Sequence, residues 1–179
     1  MPSEPGVKVI INGIDLSRSQ QVKHSIAGDG DGDVARPRYE ASVAWQEGYV
    51  TEATVNGPRT ILGDEPAAYG GRSKGLSPQD LLLTAVGNCL AATYVGGLSA
   101  NGITIRSLLI HVSGRVNFKA AFGVEAGSPG FESIDVRVDI ETDEPGGKVE
   151  ALLQKLFPTA PIPDTILRPV PINLVVHHT

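Results

Sequence analysis

The chain has 179 residues, 41% hydrophobic and 20% charged, with a formal net charge of −5. That size and balance suit one globular domain that buries most of its apolar surface without staples. The acidic balance and the lack of a basic stripe exclude a nucleic-acid binder, which needs clustered Lys and Arg. A single cysteine, Cys89, excludes an intrachain disulfide and a Cys-based zinc site.

In chain order, residues 1–37 read as an N-terminal extension. Met1 to Gly6 lacks the charged start and apolar core of a signal peptide, so with one cysteine the expected compartment is the cytoplasm. Val7 to Ile11 is a short apolar run, Asn12-Gly13 a turn, and Asp15 a cap for a helix through about His24. The Gly28-Asp29-Gly30-Asp31-Gly32-Asp33 stretch has linker composition. Asp29, Asp31, Asp33 and Glu40 match four positions of a calcium loop, but Val34 stands where that loop needs glycine, and a solvated acidic linker is the better account.

Residues 38–179 carry the main domain. Arg38 to Trp45 alternates as a strand, Gly48 turns into a second strand near Tyr49 to Val55, and Thr60-Ile61-Leu62 follows the Gly57-Pro58 interruption. Ser77, Pro78 and Asp80 then open a helix that ends near Ser99 to Gly102. Its stretch from Leu81 to Leu98 has no formal charge and is long enough to cross a bilayer. Polar and glycine interruptions at Thr84, Gly87, Asn88, Thr93, Gly96 and Gly97 favour a buried central helix instead, and no membrane partner is expected. A rod of roughly 33 Å must be covered by sheet or by a second copy.

After the helix, Ser107 to Phe118 reads as a strand with His111 on the opposite face from Ile110 and Val112. Phe131 to Thr142 alternates strictly, apolar against charged, as a sheet with one wet face. Gly146 to Phe157 is a short amphipathic helix, and Pro169 to Val176 a last strand. The order gives an antiparallel α+β domain.

The chemistry narrows by elimination. His177-His178 on a strand would point to opposite faces, and His24 and His111 have no metal-ligand spacing, so neither a metal nor a cofactor is expected. No Gly-x-Ser-x-Gly elbow, phosphate loop or dinucleotide fingerprint occurs. Cys89 remains, either as a small buried hydrophobe or as a reactive thiolate in a cleft. In mid-helix it gains little from the helix dipole, so activation calls for a cation from elsewhere; Arg59 and Arg72 are the candidates.

Pro78-Gln79-Asp80-Leu81-Leu82-Leu83, a cysteine ten residues after Gln79, and Gly102-Ile103 before a strand resemble the central signature of the OsmC/organic hydroperoxide resistance superfamily. Asp64-Glu65-Pro66 with Gly70-Gly71 leading into Ser77-Pro78 is similar to its OsmC-like branch, and Ala160-Pro161-Ile162-Pro163-Asp164-Thr165-Ile166 resembles its later Cys-Pro-x-x-x-Thr-Leu segment. The Asn12-Gly13-Ile14-Asp15 run is similar to a helical extension on some members. The resemblance covers about residues 38–176. It implies an intertwined homodimer in which antiparallel sheets wrap long central helices, and a peroxidatic cysteine, resolving cysteine, arginine and glutamate that reduce organic hydroperoxides.

Carried onto this chain, Cys89 takes the peroxidatic position and Arg59 the arginine. Gln79 stands where the family has glutamate, and Ala160 where it has the resolving cysteine. The resemblance therefore implies a one-cysteine hydroperoxide reductase in oxidative-stress defence, recycled by an external thiol reductant. The alternative is a catalytically degenerate dimer that binds a small hydrophobic ligand without turnover.

Overall fold

The computed structural model describes residues 8–178 and is α+β. The chain divides into two compact units, Met1–Thr84 and Ala85–Thr179. The boundary expected at residue 37 lies inside the first of them.

In the first unit, β1 (Ile10–Ile11) and β2 (Ile14–Asp15) form a minimal hairpin. Asn12 and Gly13 close it with φ of 51° and 78°, the two positive values a type I′ turn requires. Of the apolar run expected there, Val7 lies outside the described residues. Asp15 caps α1 (Leu16–Gly28), its carboxylate accepting the amides of Ser17 and Arg18. With no breaker before Gly28, the helix runs four residues past the end expected at His24. The Gly/Asp stretch is a set of turns, and Asp29 accepts the amides of Val34 and Ala35 at 2.9 Å each. The first carboxylate of the calcium-like spacing thus serves the backbone.

A three-stranded antiparallel sheet follows, ordered β3 (Ala41–Glu47), β4 (Val50–Val55), β5 (Arg59–Gly63). The alternation of Arg38 to Trp45 overshoots at its start because Ala41 already faces Val55, the last residue of β4. Beyond it there is no strand left to pair.

Asp64, buried after β5, then staples a loop. Its carboxylate accepts the amides of Lys74 and Arg72 at 3.0 Å each and that of Glu65 at 2.9 Å. The Lys74 amide is the largest cause, with those of Arg72 and Glu65 beside it, of a carboxyl pKa held below its ordinary value against the opposing effect of burial. The loop is tight enough that a Cβ on Gly71 would lie 1.7 Å from the Glu65 carbonyl oxygen. It delivers the chain to Ser77, where the long helix begins.

That helix, α2 (Pro78–Ala100), has a reciprocal cap: Ser77 Oγ accepts the Asp80 amide at 3.1 Å, while Asp80 accepts the Ser77 amide at 3.0 Å. It ends in a Schellman motif at Gly102 (φ 75°), with Ile103 N–H bonded to Leu98 C=O and Gly102 N–H to Ser99 C=O, both 3.0 Å. Leu98 and Ile103, the apolar pair that accompanies this motif, are both fully buried.

The core of the second unit is built on the α2 row Val86, Leu90, Tyr94, Leu98. The four lie at i+4 intervals and so share one face. Each large aliphatic side chain fully buried here contributes about 1.5–3 kcal/mol. Against this row lies the hairpin of β6 (Ile105–Val116) and β7 (Phe131–Thr142), through Ile110 and Val112 on one strand and Val136, Val138 and Ile140 on the other. Ile110 faces Val138, and Val112 faces Val136. The opposite face is wet, with His111 Nε2 3.3 Å from Asp139, which also meets Arg137 at 3.1 Å. Phe118, expected at the end of β6, instead starts the single turn α3 (Phe118–Ala121), because Asn117 Oδ1 accepts the Ala120 amide at 3.0 Å.

Two further helices close the unit. α4 (Gly146–Leu156) lays Val149, Leu152, Leu153 and Leu156 on the core as its periodicity predicts. α5 (Pro161–Leu167) falls where the sequence suggested no element; Pro161 and Pro163 stand in its first turn, where the N–H they lack has no helical partner to lose. The last strand expected at Pro169 to Val176 does not form. The segment is irregular and unpaired, since Pro169 and Pro171 supply no amide and no neighbouring strand is available to it among the described residues. It leaves Ile172 95% and Leu174 85% exposed.

The Asp64 staple gives a stability prediction. Asp64→Ala should lower Tm by several degrees at neutral pH, whereas removing the exposed side chain of Arg72 should barely move it. Because the folded carboxyl titrates below its unfolded value of about 3.9, the stabilisation is complete above that pH and fades as pH falls through the folded value. Thermal melts should therefore show a constant gap between parent and Asp64→Ala from neutral down to about pH 5, then a closing one; a gap that widens in acid contradicts the assignment.

Candidate functional site

Cys89 lies on α2 one residue before the fully buried Leu90, half-buried and packed against the core of the second unit. Its sulfur accepts a hydrogen bond from the Ile162 amide, with N and Sγ 3.4 Å apart. The local sequence dictates that donor. Pro161 and Pro163 have no N–H, and the Asp164 amide is already bonded to Ala160 C=O at 3.1 Å, so only the Ile162 amide in the first turn of α5 is free to meet the thiol. An amide aimed at sulfur places partial positive charge where a thiolate would carry its negative charge.

Ala160, two residues before that donor, is fully buried in the same core cluster. The segment read as the family's resolving stretch thus lies at Cys89, although 73 residues separate donor and acceptor. A cleft of about 80 Å³ in the same unit is walled by Val86, one helical turn before Cys89, and by Pro163 and Ile166 on α5, without Cys89 itself in its lining. It is apolar and large enough for a small alkyl group.

The other expected residues belong to the first unit. Arg59 opens β5 opposite Val55, exposed, and forms no ion pair with any described residue. Arg72 is engaged, its guanidinium paired with Glu47 and its amide with Asp64. That pairing lowers the Glu47 carboxyl pKa. Of the two candidate cations, Arg59 is the one left uncommitted. Gln79 is the second residue of α2, partly buried, ten residues or about 15 Å of helix axis from Cys89.

Two groups had no sequence signal of function. The Ile162 amide is a backbone donor whose availability depends on the flanking prolines, the only trace it leaves in the sequence. Tyr94 reads as one more apolar position, yet its phenol lines a second, larger cavity of about 790 Å³ between β7 and α4.

The OsmC-like protein family model matches residues 71–175. Solved structures share the fold at low identity. An OsmC-like protein from Mycoplasma pneumoniae superposes with a TM-score of 0.64 at 21% identity, over 74% of this chain and 89% of its own. The organic hydroperoxide resistance protein OsmC from Legionella pneumophila gives 0.55 at 14%, over 73% and 90%. An OsmC-like protein of unknown function from Vibrio cholerae gives 0.59 at 9%, over 72% and 92%. No curated protein matches the chain. The family model spans Gly71 through Val175 and so takes in Gln79, Cys89 and the Ala160–Ile166 segment, and the chain belongs to the OsmC-like family.

Proposed function

We propose that this chain is a thiol-dependent hydroperoxide reductase that works as a homodimer with Cys89 as its only redox sulfur. The observation that carries the reading is the Ile162 N–H bonded to Cys89 Sγ at 3.4 Å. Family membership and the name of the Legionella pneumophila structure support it.

The Cys89 thiolate attacks the distal oxygen of an organic hydroperoxide. The S–O bond forms as the O–O bond breaks, and the departing alkoxide takes a proton to leave as the alcohol. Sulfur is oxidised to sulfenic acid. With Ala160 where a second thiol would stand, an external thiol attacks the sulfenic acid, releases water and forms a mixed disulfide; a second equivalent frees Cys89 as the reductant's own disulfide departs. Arg59 steadies thiolate and peroxide oxygen as a fixed cation. The 80 Å³ cleft takes the alkyl group.

A second copy completes the site. Gln79 is about 15 Å along the same helix from Cys89, beyond a glutamine's reach, so a Gln79 that acts at this sulfur comes from the partner. The exposed apolar residues of the C-terminal segment and the partly open flank of α2, where Leu82 is 37% exposed, are the surfaces such a partner would cover. Sedimentation at micromolar concentration should give a dimer, and a compact monomer would remove this part of the proposal. The second reading, a dimer that holds a small hydrophobic ligand without turnover, draws on the same cleft.

Three measurements on the thiol follow. Cys89 should oxidise faster with cumene hydroperoxide than with hydrogen peroxide, gaining one oxygen by intact mass; equal or slower reaction favours the binding reading. Arg59→Ala should slow iodoacetamide alkylation of Cys89 about tenfold, the scale of one charge-assisted contact of ~1.4 kcal/mol, and an unchanged rate removes Arg59 from the mechanism. Ala160→Cys treated with one equivalent of cumene hydroperoxide should lose two hydrogens within each chain, provided the two Cα atoms lie within about 4.4–6.8 Å. Independent oxidation of both thiols would mean that position 160 is not the resolving position.

A further inference from the structure

The larger cavity of the second unit, about 790 Å³, has Val136, Val138 and Ile140 of β7 along one wall and Val149 and Leu153 of α4 along the other. Cys89 is not among its lining residues, so it is a separate site from the thiol. Its volume falls within the roughly 300–1,000 Å³ of small-molecule sites.

Glu141, Thr142, Glu144, Glu150 and Gln154 make part of the lining polar, and Tyr94 is the polar group buried among the apolar residues. Tyr94 is 4% exposed and lines this cavity, and no described residue hydrogen-bonds its hydroxyl. Leucine in the same i+4 row would pack without a hydroxyl to satisfy. Burial raises the phenol's pKa, which keeps it a proton donor at neutral pH. Water in the open cavity can bond that hydroxyl, but an apolar occupant would displace it and strand the group at a cost of about 1–3 kcal/mol. An occupant therefore has to bring an oxygen of its own.

The carboxylates in the lining select against negative charge. Glu141, Glu144 and Glu150 line the cavity with Gln154; Lys148 pairs with Glu144 at 2.7 Å, and Glu141 and Glu150 have no ion-pair partner among the described residues. We infer that this cavity binds an elongated aliphatic or alicyclic molecule whose uncharged hydroxyl or carbonyl oxygen accepts the Tyr94 hydrogen bond, and that it rejects the corresponding carboxylate. The inference is independent of turnover at Cys89.

Calorimetric titration of the full chain with 2-decanone and with decanoate tests it. The ketone should saturate one site per chain, with decanoate about tenfold weaker, the scale of one unfavourable charge contact. Tyr94→Phe, which keeps the packed ring, should weaken the ketone about fivefold, as loss of one hydrogen bond does, and Glu150→Gln should narrow the gap between the two probes. Leu153→Trp, which fills the cavity, should abolish binding, while Cys89→Ser should leave it unchanged. No saturable binding, equal affinity for the two probes, indifference to Tyr94→Phe, or loss of binding in Cys89→Ser would each overturn the assignment. So would hydrogen exchange showing β7 and α4 protected by a second copy in a dimer that excludes the ketone.

Discussion

Cover for α2 is the requirement on which the second unit is built. Among its 23 residues only Asp80 is charged, and Asp80 is held in the cap by Ser77, whose hydroxyl and amide lower its carboxyl pKa. Its apolar residues must find apolar surface. The hairpin and α4 cover the row through Val86, Leu90, Tyr94 and Leu98, and the remainder of the helix is only partly buried. Cys89 lies at that margin, one residue off the covered row. A position on the row itself would seal the sulfur, and one on the far side would leave it without α5.

The same margin explains why the two cavities differ. Both use Ile134, Val136 and Phe157, but the smaller is walled by α5 and is apolar, whereas the larger runs along α4 and has Glu141, Glu144 and Glu150 in its lining. Under the proposed function, a hydroperoxide must deliver its distal oxygen to one sulfur, which asks for an apolar wall near the thiol. The larger site, with the buried Tyr94 phenol beside aliphatic residues and glutamates in the same lining, is suited to holding a molecule.

How far the sequence could be read follows from which interactions are local. Phe131 to Thr142 was legible because Asp135, Arg137, Asp139 and Glu141 alternate with Ile134, Val136, Val138 and Ile140, and the start of α2 was legible because Ser77 and Asp80 satisfy each other across one turn. Residues 169–176 have the composition of a strand, but a strand is defined by a partner, and composition cannot supply one. α5 went unseen because two prolines read as breakers, although in a first turn they cost the helix no bond. At the site, Cys89 stood out as the lone thiol. Its amide donor did not, because a backbone N–H 73 residues away has no residue type of its own.

The departures from the family's pattern are of a kind the fold hardly registers. Alanine and cysteine are both small hydrophobes, so under the proposed function Ala160 keeps the buried position filled and supplies no second thiol. Glutamine keeps the shape of glutamate at position 79 and removes its charge. Neither change disturbs the helix cap, the core row or the turn that aims the Ile162 amide. What the backbone supplies at Cys89 therefore persists, since only proline at position 162 would delete that donor. Under the proposed function, a sulfenic acid formed at Cys89 takes its second sulfur from outside the chain, and the external reductant is then the part of the cycle that this chain does not supply.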